Sequence, residues 1–308
     1  MEQFSNHMKA YRLDEASLSL FSRSRHLLSL GGCVKAGAPL LRTWAQAVGG
    51  ARIAADSGLF HLEALHLAPT CWIGDFDSTF SVIDQIDESA LSDFMKRKSL
   101  AEAQVKRFPI QKAMTDGEEG FKLLEEEILG QRLSQGPELH LILGGLGPGR
   151  LDHVLSHMKL LMACQMRLIE NQSPDLLILT DGEQLLIPLC APFRLSLDPL
   201  ALPLGERGRA IVSFLVEENL ENFSCRGLMY EVASRDFSKL QTELLSNEWR
   251  LSVADSIDTS ISPASRICAG RPLHLDEGEK CLDARVEIQA DKGTCFLLWN
   301  VSDPQCSR

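Results

Sequence analysis

The sequence lacks a long apolar run, a block of basic residues and a closely spaced pair of cysteines. A membrane-spanning helix needs about 20 consecutive apolar residues, so we expect no membrane span. The chain carries 31 basic and 42 acidic residues, a formal net charge of −11. A chain this acidic is not suited to bind along nucleic acid or an anionic membrane, so we expect neither partner.

The nine cysteines are an odd number, are scattered, and never occur at CxxC spacing. This pattern is typical of a reduced cytosolic protein and argues against a disulfide framework or a cysteine zinc site. The first 21 residues contain no uninterrupted apolar segment of the kind found in secretory signals. We therefore predict a soluble, cytoplasmic protein.

A change in sequence texture near Pro192 predicts two domains. Before it, short apolar runs such as CWIGDFDS and ELHLILGG alternate with amphipathic segments such as GEEGFKLLEEEIL. This alternation predicts an α/β domain with a mainly parallel sheet over residues 1–190. After it, helical periodicity fades and short strand-like segments such as FRLSL and RAIVSFLV follow. We predict an all-β, sandwich-like domain over residues 191–308.

Acidic residues occur at successive element boundaries of the first domain. Asp75 and Asp77 lie two apart at the end of a predicted strand, where alternation turns both to one side. Asp116 opens a predicted helix that Thr115 can cap. Any one of these alone is explained as a cap. Their repetition instead predicts a Mg²⁺ site that bridges carboxylates to the phosphates of a nucleotide.

A glycine-rich loop, GGLGPG, precedes Arg150 and a further acidic residue, Asp152. The loop has neither GxGxxG nor Walker spacing, so alone it is a weak signal and its glycines can simply form a turn. The adjacent cation and carboxylate strengthen the phosphate-binding interpretation. His153 and His157 are four apart on a predicted helix, but no HExxH motif accompanies them, and we predict no zinc site.

Taken together, AADSG, IGDFDS, TD, GGLGPGRLDH and SNEW resemble the thiamine pyrophosphokinase family in the same order and at suitable spacings, from about Leu30 to Trp299. The resemblance implies an α/β nucleotide-binding domain followed by a β-sandwich, assembled as a homodimer with active sites at the subunit interface. It also implies that ATP and thiamine give AMP and thiamine diphosphate with Mg²⁺.

Carried onto matching positions, the resemblance assigns a metal and phosphate set, a nucleotide loop and a thiamine site. The catalytic and metal-binding carboxylates are Asp75, Asp77, Asp116 and Asp152. The ATP-binding residues are Asp56, Gly144, Gly145 and Arg150. The thiamine-site residues are Ser246 and Asn247 as polar contacts, with Tyr230 and Trp249 as aromatic groups that either stack on the cationic heterocycle or belong to the sandwich core.

The chain also departs from the family pattern. Ala113 stands where the family often has an aspartate, Ser57 replaces a glycine, and Met229 replaces a lysine. An apparent insertion lies between Arg250 and Asp283. Two other functions therefore remain open: a pyrophosphokinase for another hydroxymethyl heterocycle, such as a pterin, and a non-catalytic descendant that binds nucleotide or thiamine.

Overall fold

The computed structural model of the protein folds into two units. One comprises Leu18–Pro188, and the other comprises Met1–Ser17 together with Leu189–Arg308. The residues that the structure describes are 9–13, 26–80, 88–98, 100–101, 104–109, 114–130, 138–146, 151–198, 202, 209–228, 231–238, 245–250 and 285–300.

The amino-terminal segment belongs to the second unit. Strand β1 (Lys9–Leu13) pairs in parallel with β9 (Phe193–Leu197), and Lys9 is opposite Phe193 in the register. The sequence analysis included these first residues in the α/β domain, residues 1–190. The structure differs because the partner of β1 lies about 180 residues further along the chain, and a local pattern carries no information on such a pairing.

The first unit is built on a mainly parallel sheet, as the sequence analysis predicts. Its strands are β2 (Leu27–Ser29), β3 (Arg52–Ala55), β4 (Cys71–Gly74), β5 (Val105–Arg107), β6 (Leu139–Leu143), β7 (Leu176–Thr180) and β8 (Gln184–Cys190), which runs on into the second unit. All pairings among β2 to β7 are parallel, and β8 pairs with β7 in the antiparallel sense. Strands β2, β6 and β7 are fully buried.

The order of these strands is β8-β7-β6-β2-β3-β4-β5. From β2 the chain moves to one side through β3, β4 and β5, and then returns to place β6 on the other side of β2. The sheet therefore has a topological switch point between β2 and β6. In open α/β sheets, ligands bind in the crevice that such a switch point leaves at the carboxyl ends of the strands.

Six α-helices lie in the described residues of this unit. They are α1 (Pro39–Gln46), α2 (Leu59–Ala64), α3 (Asp77–Phe80), α4 (Glu88–Lys98), α5 (Asp116–Gly130) and α6 (Leu151–Glu170). The charged segment from Ser81 to Lys106, whose composition predicts a helix, contains α4, but Val105 and Lys106 at its end belong to strand β5. Its residues 81–87 lie outside the described residues. No described helix has the length and apolar character needed to cross a membrane.

Helix α5 lies close against the sheet because of its composition. It buries Gly120, Phe121, Leu124 and Ile128, whose spacing of three and four places them on one face. A methyl group on the Cα of Gly120 would lie only 2.8 Å from Cδ1 of Leu28 in β2. This glycine lets helix α5 lie close to the sheet, and the helix in turn positions its first residue, Asp116, near the ends of the strands.

The second unit contains two sheets in the described residues. One has the order β1-β9-β14-β11-β12, and the strands of this unit in the other have the order β13-β10-β15. The remaining strands are β10 (Arg209–Val216), β11 (Leu220–Arg226), β12 (Val232–Phe237), β13 (Leu245–Arg250), β14 (Val286–Ala290) and β15 (Thr294–Asn300). Phe214 of β10 contacts Phe223 of β11, with 5.1 Å between ring centroids, so aromatic packing joins the two sheets.

Buried polar groups cluster at the amino-terminal end of the parallel sheet. The N–H of His26 donates to Nδ1 of His140 at 3.1 Å, and the N–H of Ala51 donates to Nδ1 of His26 at 3.0 Å. Each imidazole must accept at Nδ1, so the neutral ring carries its proton on Nε2. Burial and the neighbouring His140 lower the pKa of His26 from 6.5 to about 4, although Asp175 opposes the change.

The position of the proton on His140 decides whether a set of possible metal ligands in this cluster can bind a metal. Ligand atoms of Glu138, His140 and Asp175 lie within 4.8 Å of one another, as metal ligands can. Because Nε2 of His140 carries the proton, that nitrogen has no lone pair to give to a metal. Asp175 instead accepts hydrogen bonds from the N–H of Glu138 at 2.9 Å and the hydroxyl of Ser173 at 2.5 Å. The cluster joins the starts of β6 and β7.

His26→Asn is expected to flatten the pH dependence of stability. The asparagine oxygen can still accept the Ala51 N–H but cannot titrate. In the wild type the unfolded chain binds more protons than the folded chain between pH 6.5 and 4. The contribution of His26 is therefore complete above pH 6.5 and falls as the pH falls, by about 2 kcal/mol between pH 7 and 5. Urea unfolding of both proteins at pH 7, 6 and 5 measures this, and equal slopes would contradict it.

Candidate active site

Three carboxylates converge at the carboxyl ends of adjacent strands. Asp56 follows β3, Asp75 follows β4, and Asp116 opens helix α5; a carboxylate oxygen from each lies within 4.8 Å of the others. Asp56 and Asp75 are only 9% and 8% exposed. Like charges held this close repel unless a cation lies between them, and three hard oxygen donors suit Mg²⁺. We refer to these three residues as the carboxylate triad.

Neighbouring groups fix the orientation of the triad. The hydroxyl of Thr79 donates to Oδ1 of Asp56 at 2.8 Å, and the buried indole N–H of Trp72 donates to the backbone carbonyl of Asp56 at 3.0 Å. The N–H of Asp77 donates to Oδ1 of Asp75 at 3.3 Å. These bonds restrict the rotation of the Asp56 and Asp75 carboxylates, which would lower the entropic cost of binding a cation.

The backbone of Gly74 makes room for the triad. This residue ends β4 with φ at +148°, a conformation that residues with a side chain rarely adopt. A methyl group on its Cα would lie 3.3 Å from Cβ of Asp56 and 3.4 Å from Oδ1 of Asp116. The glycine therefore lets two carboxylates approach across the end of a strand.

Helix α5 brings Asp116 into the triad through the cap that its sequence predicts. The hydroxyl of Thr115 accepts the N–H of Glu118 at 3.2 Å, and the carboxylate of Glu118 accepts the N–H of Thr115 at 2.5 Å. This reciprocal capping box confirms the predicted role of Thr115. Since Thr115 is the cap, the carboxylate of Asp116 is not needed to begin the helix.

Two pairs of glycines lie side by side at the switch point. Gly31 and Gly32 follow β2, and Gly144 and Gly145 follow β6. A methyl group on Gly144 would lie 2.7 Å from the carbonyl oxygen of Gly31, and one on Gly32 would lie 3.4 Å from the nitrogen of Gly145. Backbone without side chains can approach a phosphate closely. Of these four glycines, Gly32 is exposed, while Gly144 and Gly145 are buried.

The sequence analysis did not single out Gly31 and Gly32 as candidate site residues. Their relevance follows from the strand order, which places β2 directly beside β6. A glycine pair after each of two buried strands was the available signal, and pairing them required the topology.

The remaining predicted residues of the phosphate site and Tyr230 are not part of the triad. Asp77 begins α3 and is exposed, and Asp152 is the second residue of α6 and is also exposed. Neither is part of the group of three carboxylates that lie within 4.8 Å of one another. Arg150 and the predicted thiamine contact Tyr230 lie outside the described residues.

The other predicted thiamine-site residues lie on β13. Ser246 is opposite Ser213, Asn247 is opposite Val212, and Trp249 is opposite Ala210 of β10. Only the backbone of β13 is described, so these assignments remain predictions. The insertion that the sequence analysis places between Arg250 and Asp283 lies in residues 251–284, outside the described residues.

A mainly parallel sheet, with glycine turns at its switch point and three carboxylates that converge near the ends of β3 and β4, defines this unit as an α/β protein. Residues 42–171 match the family model described as thiamin pyrophosphokinase, catalytic domain. This region contains the whole carboxylate triad and the Gly144–Gly145 turn. The match confirms the resemblance to thiamine pyrophosphokinases that the motifs indicate, and it supports a pyrophosphotransferase enzyme.

Solved thiamine pyrophosphokinases have a similar fold. The yeast enzyme has a TM-score of 0.61 at 15% identity, and the match covers 98% of this chain and 94% of that one. The enzyme from Candida albicans has a TM-score of 0.60 at 11% identity, covering 98% and 95%. The enzyme from Bacillus subtilis has a TM-score of 0.58 at 18% identity, covering 91% and 100%. No curated protein sequence matches the chain.

Gly74→Ala is expected to weaken cation binding by about tenfold or more, because the methyl group crowds two triad carboxylates and the backbone angle disfavours alanine. Titration with Mn²⁺, followed by electron paramagnetic resonance or calorimetry, measures the affinity. Gly130→Ala is the matched control, since a methyl group at that position, the end of α5, has no neighbouring atom within 4 Å. Equal Mn²⁺ affinities for the two variants would contradict the assignment of the triad as the cation site.

Proposed function

We propose that the protein transfers the pyrophosphoryl group of ATP to the hydroxyl of thiamine, giving thiamine diphosphate and AMP. The observation that carries the proposal is the carboxylate triad beside two glycine turns, inside the region that matches the thiamine pyrophosphokinase catalytic domain. The family match indicates that the transferred group is pyrophosphoryl. The triad would bind a cation and the glycine turns would approach the phosphates, and a polyphosphate with a bound cation requires both.

The proposed reaction is an in-line displacement at the β-phosphorus of ATP. The hydroxyl oxygen of thiamine forms a bond to this phosphorus, and the bond from the phosphorus to the oxygen bridging to the α-phosphate breaks. The bridging oxygen leaves with AMP, and the hydroxyl proton passes to a carboxylate or to water. Such a transfer demands alignment of the two oxygens and neutralisation of charge on the phosphates.

The triad would hold Mg²⁺, which supplies positive charge to the phosphate oxygens that carboxylates alone would repel. Asp56, Asp75 and Asp116 would bind the ion directly. Asp77 and Asp152 belong to the same proposed set and would act through water, given their exposed positions. The backbone of Gly144 and Gly145 would approach the phosphates, and Arg150 would clamp one of them with its planar fork.

The acceptor site is proposed on the second unit. Ser246 and Asn247 of β13 would hydrogen-bond the aminopyrimidine, and Tyr230 and Trp249 would offer an aromatic face to the cationic ring. These roles and a homodimeric assembly rest on the motif resemblance described above, and a cytoplasmic location rests on the cysteine pattern and the lack of a signal-like segment. They are independent of the cation site, so each can fail without affecting the triad.

Nucleotide chromatography after incubation with ATP, thiamine and Mg²⁺ tests the reaction. We expect AMP to form only with thiamine present, in step with thiamine diphosphate. ADP as the product would instead mean transfer of a single phosphoryl group and would overturn the mechanism. Turnover with a hydroxymethyl pterin but not with thiamine would support the alternative acceptor class, and Mg²⁺-dependent binding without any turnover would support a non-catalytic descendant.

Asp75→Asn is expected to lower kcat/KM by at least about 100-fold, because it removes one charge from the cation site while keeping the shape of the side chain. Steady-state AMP formation at saturating Mg²⁺ measures the effect, and circular dichroism checks the fold. Asp93→Asn, which removes an exposed carboxylate from α4 of the same unit, is the control and should remain near wild type. Near wild-type activity of Asp75→Asn would contradict the role of the triad.

A further inference from the structure

His157 lies between the glycine turn after β6 and the first turn of helix α5. A methyl group on the Cα of Gly145 would lie 2.6 Å from Nδ1 of His157, and one on the Cα of Gly117 would lie 3.2 Å from Nε2. The imidazole therefore contacts two separate backbone segments through its two nitrogen-bearing edges. One segment is the proposed phosphate-binding turn, and the other directly follows Asp116 of the triad.

The ring is confined on both sides by positions that have no side chain. Gly145 has φ at +78°, so another residue would be strained there whatever the space around it. Gly117 is the second residue of α5, whose start is fixed by the Thr115–Glu118 capping box. The imidazole thus fills the gap between a turn and a helix start that are each held in place by other contacts.

The environment of His157 favours the neutral ring. Burial lowers the pKa of this imidazole and the nearby His153 lowers it further, while the backbone of Gly145 opposes the change. Nδ1 is buried without a hydrogen-bond partner of good geometry. An unsatisfied buried nitrogen costs stability, so a packed apolar side chain would serve the fold better at this point. A histidine here is therefore explained by position and shape at the site rather than by stability.

We propose that His157 is a positioning residue that sets the distance between the Gly144–Gly145 turn and Asp116. The proposal rests on the proposed function, in which the turn approaches the ATP phosphates and Asp116 binds the cation that those phosphates share. A shift of the turn relative to the cation would separate two groups that must bind one polyphosphate. The effect therefore falls on ATP with its cation and leaves thiamine affinity unchanged.

Two substitutions distinguish the contact made by Nδ1 of the ring from the contact made by Nε2. The side-chain amide of asparagine can occupy the place of Nδ1, and that of glutamine can reach the place of Nε2. His157→Asn therefore keeps the contact with the glycine turn and loses the contact with the helix. His157→Gln does the reverse, and His157→Ala loses both.

The first experiment compares kinetic constants for AMP formation among these variants. We expect His157→Ala to raise KM for ATP about tenfold, since misplacement by a fraction of an ångström is costly in such sites, while KM for thiamine stays within twofold. His157→Asn and His157→Gln each keep one of the two contacts, so each should raise KM for ATP by less than His157→Ala does. Equal rises in both KM values, or a KM for ATP that His157→Ala leaves unchanged, would overturn the proposal.

A second variant keeps the test independent of the stability of His157→Ala. Gly117→Ala favours the helix, because alanine has a higher helix propensity than glycine, yet its methyl group presses on a ring that Gly145 already confines. We expect a higher melting temperature together with weaker ATP binding, a combination that a purely structural role would not produce. In Gly117→Ala/His157→Ala the crowding is gone, so KM for ATP should equal that of His157→Ala alone, and additive effects would contradict the proposal.

Calorimetric binding of a non-hydrolysable ATP analogue with Mg²⁺ separates this inference from the proposed function. If the wild type binds the analogue but forms no AMP with thiamine, the proposed transfer fails while the His157 variants still test the positioning role. If the wild type forms AMP and His157→Ala binds the analogue as tightly as the wild type, the proposed transfer stands and the positioning role is wrong.

Discussion

Repulsion among the three carboxylates of the triad is the constraint on which the rest of the α/β unit depends. The chain holds Asp56, Asp75 and Asp116 within 4.8 Å of one another on backbone that is buried or capped by other groups. A divalent cation placed between these carboxylates would offset their mutual repulsion. The parallel strands, the close approach of α5 to β2 and the positive φ of Gly74 all serve to keep these groups together.

The polar groups at the two ends of the parallel sheet are used differently. At the amino-terminal end, Nδ1 of His26, Nδ1 of His140 and the carboxylate of Asp175 each accept a backbone N–H, so these acceptor atoms are used within the fold. At the carboxyl end, three carboxylates converge near two glycine turns, of which Gly32 is exposed while Gly144 and Gly145 are buried. The two acidic clusters have similar ligand spacing, and only the hydrogen-bonding state of His140 distinguishes a structural cluster from a candidate cation site. Counting ligand types within a radius is therefore not sufficient to assign a metal.

Much of the α/β unit is predictable from sequence because its signals are local. The buried runs that form β6 and β7 and the Thr115 cap of α5 depend on residues within a few positions of one another, and the structure contains them all. The carboxylate triad was only partly predictable. The strand-end rule found Asp75, and the family motif assigned Asp56 to ATP, but the meeting of Asp56 with Asp116 depends on strand order. The same holds for Gly31 and Gly32, and for β1, whose partner is far along the chain.

The pairing of β1 with β9 joins a strand that is synthesised first to one that is synthesised much later. Lys9 is opposite Phe193, so during synthesis the first strand has no partner until the residues of the whole α/β unit have left the ribosome. Strands β2 to β7 pair with one another within Leu18–Pro188, so this part of the α/β unit can fold before that point, while the amino-terminal strand is still unpaired. An amino-terminal tag or truncation is therefore a perturbation of the carboxyl-terminal β unit, and it falls on the last step of folding rather than the first.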